Sequence, residues 1–581
     1  MNRKSVFWLT LILLSALPLF AQFAGGTGTA QNPWQVATAD HLSNVRSYLD
    51  GHFIQTADID LGVAPWNDGA GWAALGQYSH LPFGGNYNGN GHTISGLYVN
   101  SMATTSTYKG LFGSSVGTIQ NLHLTDVDLK ANRDYLGALL SINNGTVINC
   151  SSSGIVKNDS QKRFLGGLVG RNQGDIINCH SSGNVSPDSY LTQNIGGLVG
   201  INDDGGNITG CYSTANVANG NQNIGGLVGE NKGNITDCHS SGIISGSGSV
   251  GGLVGISTSG NITNSYSTSE VSGINQIGGL VGWLLASDGE STITNCYSAG
   301  QVTGTSQGTG GLVGRSDGGE INSCYSSGSV TGQTYTGGLM GSSTYSFTNT
   351  VTYIHNCYSS ATVSGNSFTG GLVGYNQLSI VTNSYSNGHV SGSTAVGGMV
   401  GSSMNGIHNN CYWDIETSGQ TTSRGGEGRT TVEMVYPHDE NTYVGWDWDI
   451  WTPDMDHTVN DGYPYLSFLN DEIPEPPAVV EGLTISIMEN DVLLTWQPVT
   501  ETVNGSPIVP DGYIVFFSED PYGDVSSFSE LGFVSDTSFE HTQAAQNHRH
   551  MFYRIVAVHD PSGKRSAWLM NRENLQTSEM N

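Results

Sequence analysis

Basic residues are scarce in this chain of 581 residues: 19 Lys and Arg stand against 48 Asp and Glu, a formal net charge of −29. Nucleic acid and anionic membrane surfaces recruit Lys/Arg patches, so neither is expected as a partner. Charged residues make up only 12% of the chain, which leaves little with which to coat long helices. After the first two dozen residues no apolar run approaches the ~20 residues of a helical membrane span. Cys-x-x-Cys, His-Glu-x-x-His and Gly-Lys-Ser/Thr are all missing, so zinc, zinc-peptidase and phosphate-loop signatures drop out. No cofactor is expected.

Glycine, by contrast, is abundant, with 82 residues, and it is periodic. Gly-Gly-Leu-Val-Gly or a one-residue variant occurs nine times, starting at Gly166, Gly196, Gly225, Gly251, Gly278, Gly310, Gly337, Gly370 and Gly397. Lys109-Gly-Leu-Phe-Gly113 and Gly137-Ala-Leu-Leu-Ser141 are degenerate copies. A step of about 26 to 33 residues is the size of one solenoid unit, and such units stack because none can bury its apolar face alone.

Each copy is followed by an Asn-Cys-Tyr-Ser-like stretch that sets side-chain direction. In Cys296-Tyr-Ser-Ala-Gly-Gln-Val302 a two-residue period puts Cys296, Ser298, Gly300 and Val302 on one face and Tyr297 and Gln301 on the other. The same frame holds from Cys150/Val156 to Cys357/Val363, with Ser265 and Ser384 in place of Cys in two coils. Small and β-branched residues suit a narrow interior, so this face is expected inside. Isoleucines just upstream, Ile177, Ile208, Ile235, Ile262 and Ile293, require a corner before the Cys. Asn178, Asn264 and Asn295 can adopt the left-handed conformation such a corner needs. The expectation is an all-β chain, a right-handed parallel β-helix of about eleven coils, with a C-terminal β-sandwich.

All eight cysteines (Cys150, Cys179, Cys211, Cys238, Cys296, Cys324, Cys357, Cys411) share one repeat position. Stacked strands lie ~4.8 Å apart with side chains abreast, whereas a disulfide wants Cβ atoms ~3.8 Å apart and facing each other. A ladder of buried thiols is expected, rather than disulfides or a metal site.

Residues 1–22 have a charged start at Arg3 and Lys4, an apolar core and a small-residue exit, the pattern of an export signal. Residues 23–108 are expected to form an N-terminal cap and the first coils, with a short helix beginning after Thr38. The array occupies 109–413, and aromatic-rich 414–470 closes its other end. An acidic Pro-rich linker, 471–477, precedes an alternating β-domain at 478–570 and a tail at 571–581. The chain is expected outside the cell, secreted or surface-held, as a monomer that does not enter the membrane.

The array closely resembles the GLUG repeats of secreted bacterial surface proteins, which carry the same pairing of Gly-Gly-Leu-Val-Gly with Asn-Cys-Tyr-Ser. The likeness covers about residues 105–413 and implies an adhesin-like role toward an extracellular glycan or surface protein. The metallopeptidase sometimes found beside such repeats is not implied, because its zinc motif is missing. Trp496, Tyr513-Ile-Val515 and Tyr553-Arg-Ile-Val-Ala557 resemble the core strands of a fibronectin type III module.

The residue after each core Cys or Ser points outward: His180, Tyr212, His239, then Tyr266, Tyr297, Tyr325, Tyr358, Tyr385 and Tyr412. These last six tyrosines are the candidate binding residues. Such a row either docks a sugar or protein, or simply stiffens the sheet by stacking on itself. Catalytic carboxylates need to cluster, and those of the array, among them Asp203, Glu230, Asp288, Glu290 and Asp317, fall in different coils. No catalytic and no metal residue is therefore assigned. A carbohydrate-cleaving enzyme on the same fold and a plain structural spacer are the other readings. Asp447, Asp449, Asp454, Asp456 and Asp461 are dense enough to raise calcium, though their spacing fits no calcium loop.

Overall fold

In each coil the second glycine of Gly-Gly-Leu-Val-Gly explains why the chain can wind so tightly. A Cβ on Gly226 would collide with the carbonyl oxygen of Gly252 in the next coil, and one on Gly225 with the carbonyl of Val228. Leu227 and Val228, which follow, are fully buried. The motif is thus a corner where backbone meets backbone, with two apolar side chains turned into the core.

The computed structural model describes residues 22–471, apart from 79, 102–107, 159–162, 190, 287–290 and 345–349, and strands and turns within 483–558. The expected leader (save Gln22), the linker beyond Asp471 and the tail lie outside the described residues. The chain divides into two compact units: residues 1–448 with 453–464, and residues 449–452 with 465–581.

The first unit is a parallel β-solenoid. One sheet stacks fourteen strands from Trp34–Val36 to Ile407–Asn409. A second stacks eleven, from Phe112–Ser115 to Val400–Met404, one per turn, which matches the expected number of coils. The third face carries the Cys-Tyr-Ser strands and the longer strands after them. A single coil runs Asn207–Thr209, Tyr212–Ser213, Asn216–Gly225 and Val228–Asn231. Register is repeat-to-repeat: Ile208 pairs with Ile235, Tyr212 with His239, Val228 with Val254. Each buried Ile, Leu or Val contributes roughly 2 kcal/mol, offset by the entropy of ordering its coil.

The expected inward frame holds. Cys296, Ser298 and Val302 are buried, and Asn178, Asn264 and Asn295 have φ of 52°, 49° and 53°. One isoleucine needs correction. In Asp175-Ile176-Ile177 the inward residue is Ile176, fully buried and paired with Val147 and Ile208, while Ile177 is only half-buried. The repeat offset agrees with the pairing: Ile176 lies three residues before Cys179, as Ile208 does before Cys211, whereas Ile177 lies only two before it.

All eight cysteines are free and buried. The Cys150 thiol donates to the Ile148 carbonyl at 3.2 Å, and the Cys150 N–H donates to the Cys179 sulfur at 3.3 Å. Ser265 reproduces both bonds, to Thr263 O at 2.8 Å and from Cys238 N at 3.0 Å. Burial pushes the Cys296 thiol well up and that of Cys411 to about 12, which keeps these two thiols protonated and unreactive.

At the N-terminal end the helix is shorter than its periodicity suggests, Ala39–Asn44 followed by a 3₁₀ turn, Val45–Ser47. Thr38 caps it, accepting from His41 N at 3.2 Å. Leu42 and Val45 are buried, and Phe23, Trp34, Tyr48 and Phe53 pack ring on ring over the first coil. In the second unit, two three-stranded antiparallel sheets contribute Val492, Leu494, Tyr513 and Val515 to one small core that includes Trp496.

Candidate functional site

Two rows of side chains run along the solenoid. The first is the outward aromatic row. His180, Tyr212, His239, Tyr266, Tyr297, Tyr325, Tyr358 and Tyr385 stack in order, with successive ring centroids 4.7 to 5.1 Å apart and planes within 11° of parallel. The spacing is that of the strands themselves. Each ring therefore covers its neighbours' faces and presents only its edge to solvent.

The six candidate tyrosines are brought into one row, but they do not share one environment. Tyr266, Tyr297 and Tyr325 are half-buried, whereas Tyr358, Tyr385 and Tyr412 are buried. The outward direction expected of the last two is correct, yet residues 443–446 and 460–464 return over them. Tyr443, Trp446 and Tyr463 pack on Tyr385, and Tyr443 and Trp446 also reach Tyr412. The Tyr385 hydroxyl donates to Pro464 O at 2.8 Å and accepts from Asn460 Nδ2 at 2.6 Å. Burial pushes the phenol of Tyr385 well up, and burial followed by the neighbouring Tyr385 does the same to Tyr358. These three tyrosines are not available to a ligand.

The loop that covers them is held by a carboxylate. Asp454 accepts N–H bonds from Thr458 at 3.1 Å, Val459 at 3.3 Å, and Asn460 and Gly462 at 2.8 Å each. Burial disfavours its charge, but these amides outweigh that and hold the carboxyl below its usual value. Both of its oxygens are thus engaged by backbone amides, not aimed at a cation. Among the described residues, no three His, Cys, Asp or Glu converge as a metal site.

The second row was missed by the sequence reading. Two residues before each first glycine of the motif, the chain enters the left-handed region: Tyr135, Phe164, Asn194, Asn223, Ser249, Gln276, Gly308, Tyr335, Phe368 and Ala395 have φ between 50° and 75°. The last glycine of the motif answers this corner. A Cβ on Gly255 would strike the backbone of Asn223 in the preceding coil, and one on Gly374 that of Tyr335. Polar or small residues accept the left-handed region at modest cost; bulky aromatic ones are outliers there. Four rungs are nevertheless aromatic. Tyr135 stacks on Phe164 at 4.9 Å with the Arg171 guanidinium 5.4 Å from the Tyr135 centroid. Tyr335 stacks on Tyr375 at 4.8 Å and lies 5.4 Å from Phe368. The only sequence signal for this row is its fixed offset from Gly-Gly, since seven residue types occupy it.

Between Gln276 and Tyr335 the row is interrupted by Gly308, and there a cavity of about 320 Å³ opens. Its lining includes Asn221, Gln222, Asn275, Gln307 and Arg315. Asp317, buried beneath, holds Arg315 through two bonds of 3.0 and 2.8 Å and also accepts from Trp283 Nε1 at 3.2 Å and Thr344 Oγ1 at 2.7 Å.

The carboxylates of the array are less dispersed than their sequence spacing suggests. Lys232 Nζ lies 3.7 Å from Asp203 and 3.5 Å from Glu230, Arg171 pairs with Asp203, and Asn194 donates to Glu230 at 2.8 Å. These charges meet because coils stack side by side. Burial opposes the Asp203 charge, but Arg171 and then Lys232 hold its carboxyl below the ordinary range. Asp288 and Glu290 lie outside the described residues.

The model of the GLUG motif matches residues 165–186, 192–218, 220–245, 273–303 and 305–331. Over 135 residues, 22% of this chain, the sequence is 41% identical to a protein of Evansella cellulosilytica described as a Gly-rich membrane protein. Over 143 residues, 23% of this chain, it is 33% identical to halomucin of Haloquadratum walsbyi. The matches span 15% and 2% of the lengths of these two curated relatives. A crystal structure from Bacteroides ovatus described as an immunoglobulin A1 protease aligns over 77% of this chain and 96% of its own, at 19% identity and a TM-score of 0.22, too low to carry an argument. No helix among the described residues is long and apolar enough to cross a membrane. The repeated array of this chain is a run of GLUG motif repeats wound into a parallel β-solenoid.

Proposed function

We propose that this chain is a secreted or surface-held bacterial protein that acts without catalysis, its solenoid displaying a face that binds extracellular glycan or protein. One observation carries the reading: Tyr335 and Phe368 occupy left-handed backbone beside Tyr375. The fold does not demand aromatic residues there, since Ser249, Gly308 and Ala395 turn the same corner. A strained, half-buried aromatic cluster that packing does not require is support for contact with a partner. The export-like leader and the scarcity of cations fit an extracellular setting. The second unit, with Trp496 in the core of two small antiparallel sheets, then serves as a fibronectin type III-like module.

The test is an array of glycans and extracellular-matrix proteins probed with residues 23–581, wild type against the triple variant Tyr335→Ala, Phe368→Ala, Tyr375→Ala. Retained binding by a variant that remains folded would remove this reading.

The enzyme reading gains one observation, the Asp203–Lys232–Glu230 group with Arg171. A glycosidic general acid needs a raised carboxyl pKa, and Asp203 is displaced the other way by its cations. Incubation with neutral and acidic polysaccharides is expected to release no reducing or unsaturated ends. Turnover lost in Asp203→Asn or Glu230→Gln would place the enzyme first.

A further inference from the structure

We infer that the notch at Gly308 is a binding site for one uncharged sugar residue of a glycan chain, an inference that rests on the extracellular-binding reading above. The notch exists because one rung of the left-handed row has no side chain. Gln276 stands on one side and Tyr335 on the other, and the space left, about 320 Å³, is at the small end of the ~300–1,000 Å³ usual for ligand sites.

The chemistry of the walls selects the ligand. Amide side chains from three coils, Gln222, Asn275, Gln276 and Gln307 among them, offer both donors and acceptors. A ring bearing several hydroxyls uses such a mixed set; a hydrocarbon ligand would leave it unpaired. Tyr335 supplies the apolar wall on which the C–H face of a sugar rests, and Phe368 and Tyr375 extend that surface away from the notch. Among the described lining residues Arg315 alone is charged, and Asp317 neutralises it through two hydrogen bonds. No net charge remains to hold an acidic sugar, and the chain's net charge of −29 repels one.

A peptide strand fits this place less well. The strands that line it, Asn216–Gly225, Ile243–Gly251, Glu270–Gly278, Gln307–Gly310 and Thr334–Gly337, are each paired on both sides. They leave no edge to which an extended peptide could add.

The site can be closed without touching the fold. A Cβ at Gly308 would lie 3.3 Å from Gly314 O and 3.5 Å from Ser342 Oγ, and the same corner carries Tyr, Phe, Gln and Ala in other coils. Gly308→Tyr is therefore expected to fold and to fill the notch, while Gly308→Ala leaves most of it open. Residues 23–581 would be titrated calorimetrically with cellohexaose, maltohexaose, mannohexaose, chitohexaose and hexagalacturonate, and with an extended peptide of alternating Ser and Val. Binding of at least one neutral hexasaccharide is expected, weakened tenfold or more by Gly308→Tyr and less than threefold by Gly308→Ala, with melting temperatures unchanged. Weakening by Tyr335→Ala, Phe368→Ala, Tyr375→Ala but not by Gly308→Tyr overturns the notch and leaves the binding-face reading standing. Preference for hexagalacturonate or the peptide, or no binding by any neutral hexasaccharide, overturns the sugar assignment.

Discussion

The Ser240 hydroxyl donates to the carbonyl oxygen of Gly252 at 2.6 Å, joining the end of one repeat to the motif that opens the next. Ser240 belongs to the Cys-His-Ser stretch and Gly252 is the second glycine of the next Gly-Gly-Leu-Val-Gly. The same bond links Ser181 to Gly197, Ser326 to Gly338 and Ser386 to Gly398, at 2.7, 2.6 and 2.9 Å. In these coils the sequence pairing of the two motifs has a physical cause: the corner carbonyl is buried, and the inward serine satisfies it. Ser240→Ala is expected to destabilise the solenoid by about 1–2 kcal/mol, mostly through the unsatisfied carbonyl. Chemical denaturation followed by circular dichroism checks it, and an unchanged midpoint would mean the bond is dispensable.

The thiol ladder yields a second expectation. Cys296 uses its sulfur as Ser265 uses its hydroxyl, donating to the carbonyl two residues back. Cys296→Ser should therefore cost no more than about 1 kcal/mol, whereas Cys296→Asp, which would bury a carboxyl without a cation, should prevent native folding. Alkylation and intact mass should find eight reactive thiols after denaturation and essentially none before. Native disulfides would overturn the ladder.

What could be seen in the sequence was what repeats locally. The inward frame of Cys296, Ser298 and Val302 follows from a two-residue period, and the corner at Asn178, Asn264 and Asn295 follows from the break in it. The frame at Ile176 was legible too, since it lies three residues before Cys179 as Ile208 lies before Cys211, and its pairing with Val147 agrees; Ile177, two residues before Cys179, has the other parity. The covering of Tyr385 depends on Asn460 and Pro464, 75 and 79 residues further on, and no periodicity reports such a return. The left-handed row hides for another reason. Its conformation is imposed by the corner rather than by residue type, so Tyr335, Gly308 and Ala395 look unrelated as letters. Stacking also joins Asp203 to Glu230 through Lys232, although 27 residues of chain separate the two carboxylates.

Acid should loosen this unit in a defined window. Asp454 and Asp203 have carboxyl pKa values lowered by folding, so the unfolded chain binds their protons more readily. Their stabilisation is complete above the unfolded carboxyl pKa, about 4, and is lost as pH falls through the lower folded values. Asp454→Asn should lower stability at pH 7 by about 1–3 kcal/mol, because an amide cannot accept all four N–H bonds. It should also flatten the loss of stability between pH 5 and pH 3, measured by melting temperature. An unchanged pH profile would show that the Asp454 loop contributes nothing to acid sensitivity.

The two aromatic rows predict opposite outcomes when each is removed. Tyr297 and Tyr325 have their ring faces covered by Tyr266, by each other and by Tyr358, so their work is stacking. Replacing both with Thr keeps a residue suited to a strand but removes three stacked contacts, each worth about 0.5–1.5 kcal/mol beyond area. A fall of several degrees in melting temperature is expected, with glycan affinity changed less than twofold. Tyr335 sits in strained backbone, and replacing it with Gly relieves that strain while removing the wall of the notch. Tyr335→Gly should therefore leave the melting temperature within about a degree or two, since lost ring contacts offset relieved strain. Its affinity for a neutral hexasaccharide should fall tenfold or more. If instead the Tyr297/Tyr325 variant loses binding while its melting temperature holds, the first row is the binding face, and Tyr266, Tyr297 and Tyr325 meet the ligand through their edges.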